Sequence, residues 1–375
     1  MSHRKYLAIG LMSGSSLDGV DLAAADFFLE DGRLKNWELK AAQTFPYQEE
    51  WIQRLSQLPF ANALSYAHTH AQLGLLFGDM IQRFIAQHSL QPDLIASHGH
   101  TIFHHPEKQM TAQIGEGAAI ASATGYTVVS DFRAQDLANG GQGAPLAPLA
   151  DRHLFPGHDF YLNLGGIANI SCNTGSKIVA FDLAAANQVF NALAQSIGQP
   201  YDEDGKIAAS GQLLEDLLQK ANQNPYYQLS YPKSLDNQWV KQEVCPLYLN
   251  AQGSVEDRMH TAVCQLAQQC QQAIQQIVQQ ESFDKVSYEL FVSGGGALNS
   301  FLLEKIREYT NRDRQVHLVI PDRSIIEYKE ALLMGLMGVF RLEHIPNCLS
   351  SVTGASRNAV GGAIHQGWKQ PSLHA

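Results

Sequence analysis

YLAIGLMSGSSLDGVDLAAADF, Tyr6 to Phe27, decides the fold of this chain. An apolar run from Tyr6 to Leu11 leads into Ser13, Gly14, Ser15 and Ser16, then Leu17, Asp18 and Gly19. Apolar character resumes at Val20 and continues past Asp21. The pattern predicts a strand, a tight turn of small residues and a second strand. Gly14 and Gly19 are expected to supply backbone angles that other residues resist. Small residues let main-chain N–H groups approach an anion, and the serine hydroxyls add donors, so the turn suits a phosphate. An ordinary polar hairpin turn is the competing reading of this stretch taken alone.

Two later stretches repeat the plan. DFYLNLGGIANISCN, Asp159 to Asn173, reads as strand, Gly165-Gly166 turn, strand. YELFVSGGGALNSFLLEKI, Tyr288 to Ile306, reads as a strand, Gly294-Gly295-Gly296 and an amphipathic helix, with Asn299 at the junction. Glycine turns after buried strands in both halves point to two related lobes clasping a nucleotide. The chain has no GxxxxGK[ST], which excludes a P-loop enzyme, and no GxGxxG between a strand and a helix, which argues against a dinucleotide site.

At 375 residues the chain is long enough for two domains with full cores. Hydrophobic residues at 45% and charged residues at 17% describe a globular protein. A formal net charge of −10, with no basic block or aromatic-basic stripe, argues against a nucleic-acid partner. No run reaches the length of a membrane span, and MSHRKYLAIG lacks the form of a signal peptide. Five scattered cysteines read as reduced thiols in a cytoplasm.

Between the turns, strands and helices alternate, which gives an α/β fold. Residues 48–88 read as helical, with Leu64, Ala67, Ala71 and Leu75 at helical spacing as the expected core stripe. PDLIASHGHTIFHH places a short strand at Leu94 to Ala96, with His98 and His100 at its end, where α/β proteins carry chemistry. The histidines at 98, 100, 104 and 105 lack acidic or cysteine ligands at motif spacing, so hydrogen bonding to a substrate or plain structure is the preferred reading over zinc. ANGGQGAPLAP, Ala138 to Pro148, is too rich in glycine and proline for an element and too apolar for a disordered linker. It reads as a hinge or cleft-lining loop. The lobes are therefore expected at 1–148 with 350–375, and at 149–349. Lys177 to Phe181 reads as a strand ending at Asp182, before a helix from Asn187. A helix N-cap is one reading of such an aspartate. Gly253 onward is the longest helix, with a stripe of Met259, Val263, Leu266, Cys270, Ile274 and Ile277. Glu327 to Leu342 is an apolar helix that carries Lys329 and Glu330 near its start, where the helix dipole favours an acid.

LMSGSSLDGVD, SHGHT, Gln113-Ile114-Gly115, DFRAQDLANGGQGAPL, LNLGGIANI, YDEDGKIAASG, Pro232-Lys233-Ser234, SGGGALN, Lys329-Glu330-Ala331 and SVTGAS occur in this order along nearly the whole chain. Together they resemble the anhydro-N-acetylmuramic acid kinase family, within the superfamily of sugar kinases and actin- and chaperone-type ATPases. The resemblance implies a two-lobed, actin-like, sugar-kinase (ribonuclease H-like) α/β fold with an inter-lobe ATP cleft. It implies an enzyme of the bacterial cytoplasm that uses ATP and Mg²⁺ to convert 1,6-anhydro-N-acetylmuramic acid to N-acetylmuramic acid 6-phosphate, recycling cell-wall sugar. Its partners would be the amino sugar and ATP, with no nucleic acid or membrane, and a homodimer is the expected assembly. By the same resemblance Asp182 is the base that activates water. Ser13, Gly14, Ser15, Ser16, Leu17, Asp18, Gly19, Val20 and Asp21 would hold the phosphates, with Asp18 and Asp21 on the Mg²⁺ side. Gly165, Gly166, Gly294, Gly295, Gly296 and Asn299 would complete the nucleotide site. Glu330, Arg133 and His100 would face the sugar. Two stretches depart from the family. Its Gly-Pro-Gly segment after the aspartate reads Leu183-Ala184-Ala185-Ala186-Asn187 here, and its Ser-Thr-Gly-Arg-Glu reads Ser234-Leu235-Asp236-Asn237-Gln238. Alanine adopts positive φ only at a cost, so the backbone there differs or never needed glycine. The same activity on a divergent branch, another amino sugar, or a binding protein without turnover are all compatible with these changes.

Overall fold

The computed structural model describes residues 3–14, 16–175 and 178–369. Its strands, in chain order, are β1 (His3–Ser13), β2 (Gly19–Glu30), β3 (Arg33–Pro46), β4 (Leu94–His105), β5 (Met110–Ile114) and β6 (Thr127–Ser130). They continue with β7 (Phe160–Leu164), β8 (Ile167–Asn173), β9 (Ile178–Ala185), β10 (Ser287–Ser293), β11 (Gln315–Val319) and β12 (Ala363–His365). The chain divides into two compact units, residues 1–156 with 328–375 and residues 157–327.

In the first unit the sheet runs β12-β6-β4-β1-β2-β3, with β5 paired to β4. Strands β1, β2 and β3 are joined antiparallel, and β4 lies parallel to β1 with β6 parallel to β4. The second unit repeats this with β11-β10-β7-β8-β9. There β7, β8 and β9 are antiparallel neighbours, and β10 lies parallel to β7 with β11 parallel to β10. In each unit two strands meander to one side of the first, and helical crossovers return two parallel strands to its other side, where the first unit adds the antiparallel β12 and the β5 hairpin partner of β4. This is the ribonuclease H-like α/β architecture, built twice in one chain.

Each sheet is covered because its central strands are apolar on both faces. Strand β2 is buried along most of its length. The helix Ala63–His88 lays Leu73, Phe77, Met80, Ile81 and Phe84 against Ile9, Leu11, Leu22 and Ile95. The helix Arg323–Leu342 crosses β1 so closely that a Cβ on Gly10 would lie 1.8 Å from the Ala331 carbonyl oxygen. In the second unit the helix Val255–Glu281 buries Met259, Val263, Leu266, Cys270, Ile274 and Ile277, the expected stripe.

Several expectations need correction. Leu64 is 81% exposed and Leu75 is 55% exposed, and Ala67 and Ala71 are exposed with them. Two stripes on that helix have helical spacing, and the one carrying the aromatic residues is the one buried. Ala138 to Pro148 is tied into the first unit: the buried Asp136 carboxylate accepts from Gly143 N–H (2.8 Å) and from Thr353 Oγ1 (2.8 Å). The chain leaves the first unit at Pro156 and returns at Tyr328, ahead of residue 350, because the helix that covers β1 belongs with that strand. Strand β4 extends to His105, so His98 and His100 lie within a strand.

Candidate active site

In the first unit the turn after β1 sits at the carboxyl end of a central strand, beside the carboxyl half of the parallel strand β4. Ligands of open α/β sheets bind at such ends. Gly14 and Gly19 do not carry the left-handed backbone. Leu17 does, at φ 60, and its N–H bonds the Gly14 carbonyl at 3.4 Å. A non-glycine residue in that region costs about 1 kcal/mol, a strain that clusters at functional turns. The two glycines also differ from each other. A Cβ on Gly19 would stand 2.6 Å from the Phe45 carbonyl, so strand packing requires glycine there. A Cβ on Gly14 would meet only Ser16 Oγ at 3.4 Å, so the folded chain leaves that space open.

The side chains of the turn divide. Ser13 is buried, with its hydroxyl bonded to Tyr47 Oη (2.7 Å) and His100 Nδ1 (2.9 Å). Val20 is wholly buried in the apolar core. Ser16 and Asp18 are exposed and joined by a 2.7 Å hydrogen bond from the hydroxyl to the carboxylate. Asp21 lies on β2 and accepts from Thr44 Oγ1 at 2.6 Å. Ser15 lies outside the described residues. The turn thus offers Gly14, Ser16 and Asp18 outward, and it anchors through Ser13, Gly19 and Val20, with the Leu17 side chain packed against the core.

His100 reaches Ser13, and burial holds its imidazole down at about 4, so it is neutral at physiological pH. Burial, with the Arg133 cation adding to it, holds His98 at about 3. The Arg133 guanidinium donates through Nε to His98 Nε2 (2.9 Å) and through Nη1 to the Gly143 carbonyl (2.6 Å). Burial lowers its pKa and the charge of Glu330 raises it again. Glu330 keeps exposed surface, yet its carboxyl is recessed among protein atoms. Removal from bulk water raises its pKa, opposed by Arg133 and Lys329. Its helix begins at Arg323, so Glu330 lies beyond the first turn and the helix dipole does not explain the acid. The structure therefore joins Arg133 to the neutral His98 and brings it within electrostatic reach of Glu330. His104 and His105 go elsewhere, to Thr111 and Glu107, and among the described residues no three metal-binding side chains cluster.

In the second unit the Gly165-Gly166 turn and the Gly294–Gly296 turn come together, because β7 and β10 are parallel neighbours whose pairing runs to Asn163 and Ser293. Gly294 takes the positive φ, 81, which lets the chain turn within van der Waals reach of Asn163 and Leu164. Gly295 has nothing nearer its open face than Asn187 Nδ2 at 4.0 Å. The Gly165 and Gly166 carbonyls accept the N–H groups of Ala186, Asn187 and Gln188, and Asn187 Nδ2 donates to the Leu164 carbonyl at 3.1 Å. Asn299 caps the helix Ser300–Thr310, accepting from Leu302 N–H at 2.9 Å.

Asp182 lies inside β9, three residues before its end, and the next helix is capped by Ala186. It is not a helix cap. Its Oδ2 accepts from the Leu235 N–H at 2.9 Å, its own N–H donates to the Lys233 carbonyl at 3.2 Å, and its carbonyl accepts from Tyr226 Oη at 2.5 Å. Among the described residues no protein donor reaches Oδ1. Burial raises the carboxyl pKa and the Leu235 N–H pulls it back. A half-buried carboxylate with one saturated and one open oxygen can accept a proton from water at the open one. The neighbouring Ala184, Ala185 and Ala186 have no positive φ, and their methyl groups lie in the core of this unit. The glycines expected there were never required by this backbone. Tyr226 and the Leu235 amide escaped sequence reading because residues 225–239 show no periodicity and a main-chain donor leaves no mark in the residue type.

A sequence model described as "Anhydro-N-acetylmuramic acid kinase" matches residues 6–367. Curated proteins of that name are similar over almost their whole length. That of Hydrogenovibrio crunogenus is 33% identical over 371 residues, covering 96% of this chain and 97% of its own. That of Shewanella frigidimarina is 32% identical over 380 residues, covering 96% and 98%. That of Pasteurella multocida is 33% identical over 382 residues, covering 95% and 96%.

Proposed function

Because this chain belongs to the anhydro-N-acetylmuramic acid kinase family, we propose that it uses ATP to convert 1,6-anhydro-N-acetylmuramic acid, with water, to N-acetylmuramic acid 6-phosphate. The observation that carries this reading is Asp182, a half-buried carboxylate fixed by three hydrogen bonds with Oδ1 left open. The setting is a bacterial cytoplasm recycling its cell wall, and the assembly a homodimer.

The reaction opens the bond between C1 and O6 and transfers a phosphoryl group to O6. Asp182 Oδ1 takes a proton from water as the water oxygen bonds to C1, on the face opposite the departing oxygen, as in an inverting glycosidase. The electron pair of the C1–O6 bond leaves on O6. That oxygen attacks the γ-phosphorus of ATP in line, and ADP departs. No separate acid is needed, because the phosphoryl group takes the pair that a proton would otherwise take.

Phosphoryl transfer asks the protein chiefly for positioning and charge. The main-chain N–H groups of Gly14, Ser16 and Leu17 hold phosphate oxygens, and the space that a Cβ on Gly14 would enter is where they come close. The open face at Gly295, with Gly165, Gly166, Gly294, Gly296 and Asn299 around it, takes the adenosine side. Asp18 and Asp21 supply hard oxygen donors of the kind Mg²⁺ prefers alongside phosphates and waters, and the ion would neutralise phosphate charge. Arg133 and Glu330 meet the sugar's carboxylate and hydroxyls. His100 acts at one remove, by holding Ser13.

The test is product analysis after incubation with ATP, Mg²⁺ and the anhydro sugar in ¹⁸O-water. One molecule carrying ¹⁸O at C1 and phosphate on O6 is expected. Sugar binding without either product, or phosphorylation with the anhydro ring intact, refutes the reading.

A further inference from the structure

Asp182 is held at three of its polar groups by one segment. β9 is the edge strand of its sheet, so residues whose main-chain groups point away from β8 need partners elsewhere. Residues 226–235 provide them. Tyr226 Oη donates to the Asp182 carbonyl (2.5 Å), the Lys233 carbonyl accepts from the Asp182 N–H (3.2 Å), and the Leu235 N–H donates to Oδ2 (2.9 Å). The same segment is pinned between these contacts as well. Tyr231 stacks flat on Phe181, with ring centres 5.2 Å apart and planes at 5°. The Lys233 ammonium lies 4.8 Å from the centre of the Tyr226 ring and donates to the Tyr226 carbonyl at 3.4 Å. Tyr226 itself is buried at 8% exposure, with a T-shaped contact to Tyr227.

We propose that Tyr226 is a positioning residue for Asp182: through its hydroxyl it fixes a strap, residues 226–235, that aims Oδ1 at the water. This rests on the reading of Asp182 as the base. Tyr226 touches the main chain of the aspartate, and its effect on the reaction passes through that residue. When the hydroxyl bond is present, the strap keeps the Leu235 N–H on Oδ2, and the carboxylate has one orientation. When it is absent, the strap lifts, Oδ2 loses its donor, and the carboxylate turns away from the attack line.

The experiment is Tyr226→Phe, which removes only the hydroxyl oxygen, measured as kcat, KM for each substrate and the pH dependence of kcat. Misaiming a reacting group by a fraction of an ångström to an ångström costs on the order of 10–10²-fold, so kcat falls by that range. Both KM values stay unchanged. The acidic limb of the kcat profile moves to higher pH, because the carboxylate has lost the donor that held its pKa down. Tyr226→Phe placed on Asp182→Asn adds no further loss to the residual single-turnover rate, since both changes remove the same base. A Tyr226→Phe protein with wild-type kcat and an unmoved acidic limb overturns the proposal. So does a loss that multiplies that of Asp182→Asn, or a lowered urea midpoint with normal kcat, which marks a merely structural tyrosine. If Asp182→Asn alone keeps wild-type turnover, the reading of the base fails instead, and the two failures are told apart.

Discussion

Asp182→Asn separates a base from a scaffold residue more sharply than any other single change here. The structure says what asparagine preserves. Its side-chain oxygen can still accept from the Leu235 N–H, and the Tyr226 and Lys233 bonds go to main-chain atoms that the substitution leaves alone. What it removes is the oxygen left open to water. Burial raises the carboxyl pKa in the folded protein. The sign for stability follows. A carboxylate whose folded pKa lies above its unfolded value opposes folding once the pH exceeds both, and is neutral in effect below both. Replacing it with an amide therefore leaves the urea midpoint at pH 7 unchanged or raises it. A positioned base contributes on the order of 10²–10⁴-fold in rate. At about 1.4 kcal/mol per tenfold, that range is roughly 3–6 kcal/mol of transition-state stabilisation lost from a protein that folds as well as before. The assays are coupled ADP release, ¹⁸O incorporation at C1 and urea denaturation of the same preparation. Turnover within a few-fold of wild type refutes the reasoning. So does a loss of turnover accompanied by an equal loss of stability, because the residue would then be holding the fold.

Other outcomes follow from the turn after β1 and from the buried histidines. Gly14→Ala is expected to fold with a wild-type urea midpoint and to bind ATP more weakly by calorimetry, since its Cβ would meet only Ser16 Oγ at 3.4 Å. Gly19→Ala is expected to lose stability, since its Cβ would lie 2.6 Å from the Phe45 carbonyl. His98 and His100 have folded pKa values of about 3 and about 4, below their unfolded value, so the unfolded chain binds more protons. Stability should fall as pH drops from about 6.5 toward 4, and His100→Gln, which can keep a hydrogen bond to Ser13, should flatten that fall in urea titrations across the window.

The architecture was legible because it is written in periodicity and in glycine. Three glycine turns after apolar runs announced two copies of one plan, and the two sheets share it in a core of five strands, to which the first adds β5 and β12. The stripe on Val255–Glu281 was legible because one face alone is apolar. On Ala63–His88 two faces satisfy the same spacing, and Leu64 with Leu75 lost to Leu73, Phe77 and Phe84, which present more apolar surface to the sheet. Ala138 to Pro148 reads as a hinge or cleft-lining loop for a related reason. Glycine and proline mark irregular chain, and irregular chain can be as firmly bonded as a helix when a buried carboxylate such as Asp136 holds it.

The site was legible where a side chain does the work and silent where the main chain does. Asp182, Arg133 and Glu330 stand out by residue type. The donors that set the state of Asp182 are an amide of Leu235 and a tyrosine in an aperiodic stretch, and no composition or spacing marks either. The alanines after Asp182 show the converse. A missing glycine looks like a lost function only if the backbone needed positive φ. At Ala184, Ala185 and Ala186 it does not, and the methyl groups lie in the apolar core. The open glycines are the informative ones. Gly14 and Gly295 are spared a side chain that the folded chain has room for, while Gly10 and Gly19 are glycine because neighbouring main chain leaves no choice. Both stand on turns that follow central strands, β1 and β10, and close approach of the proposed nucleotide is the use this reading gives to the space they leave bare.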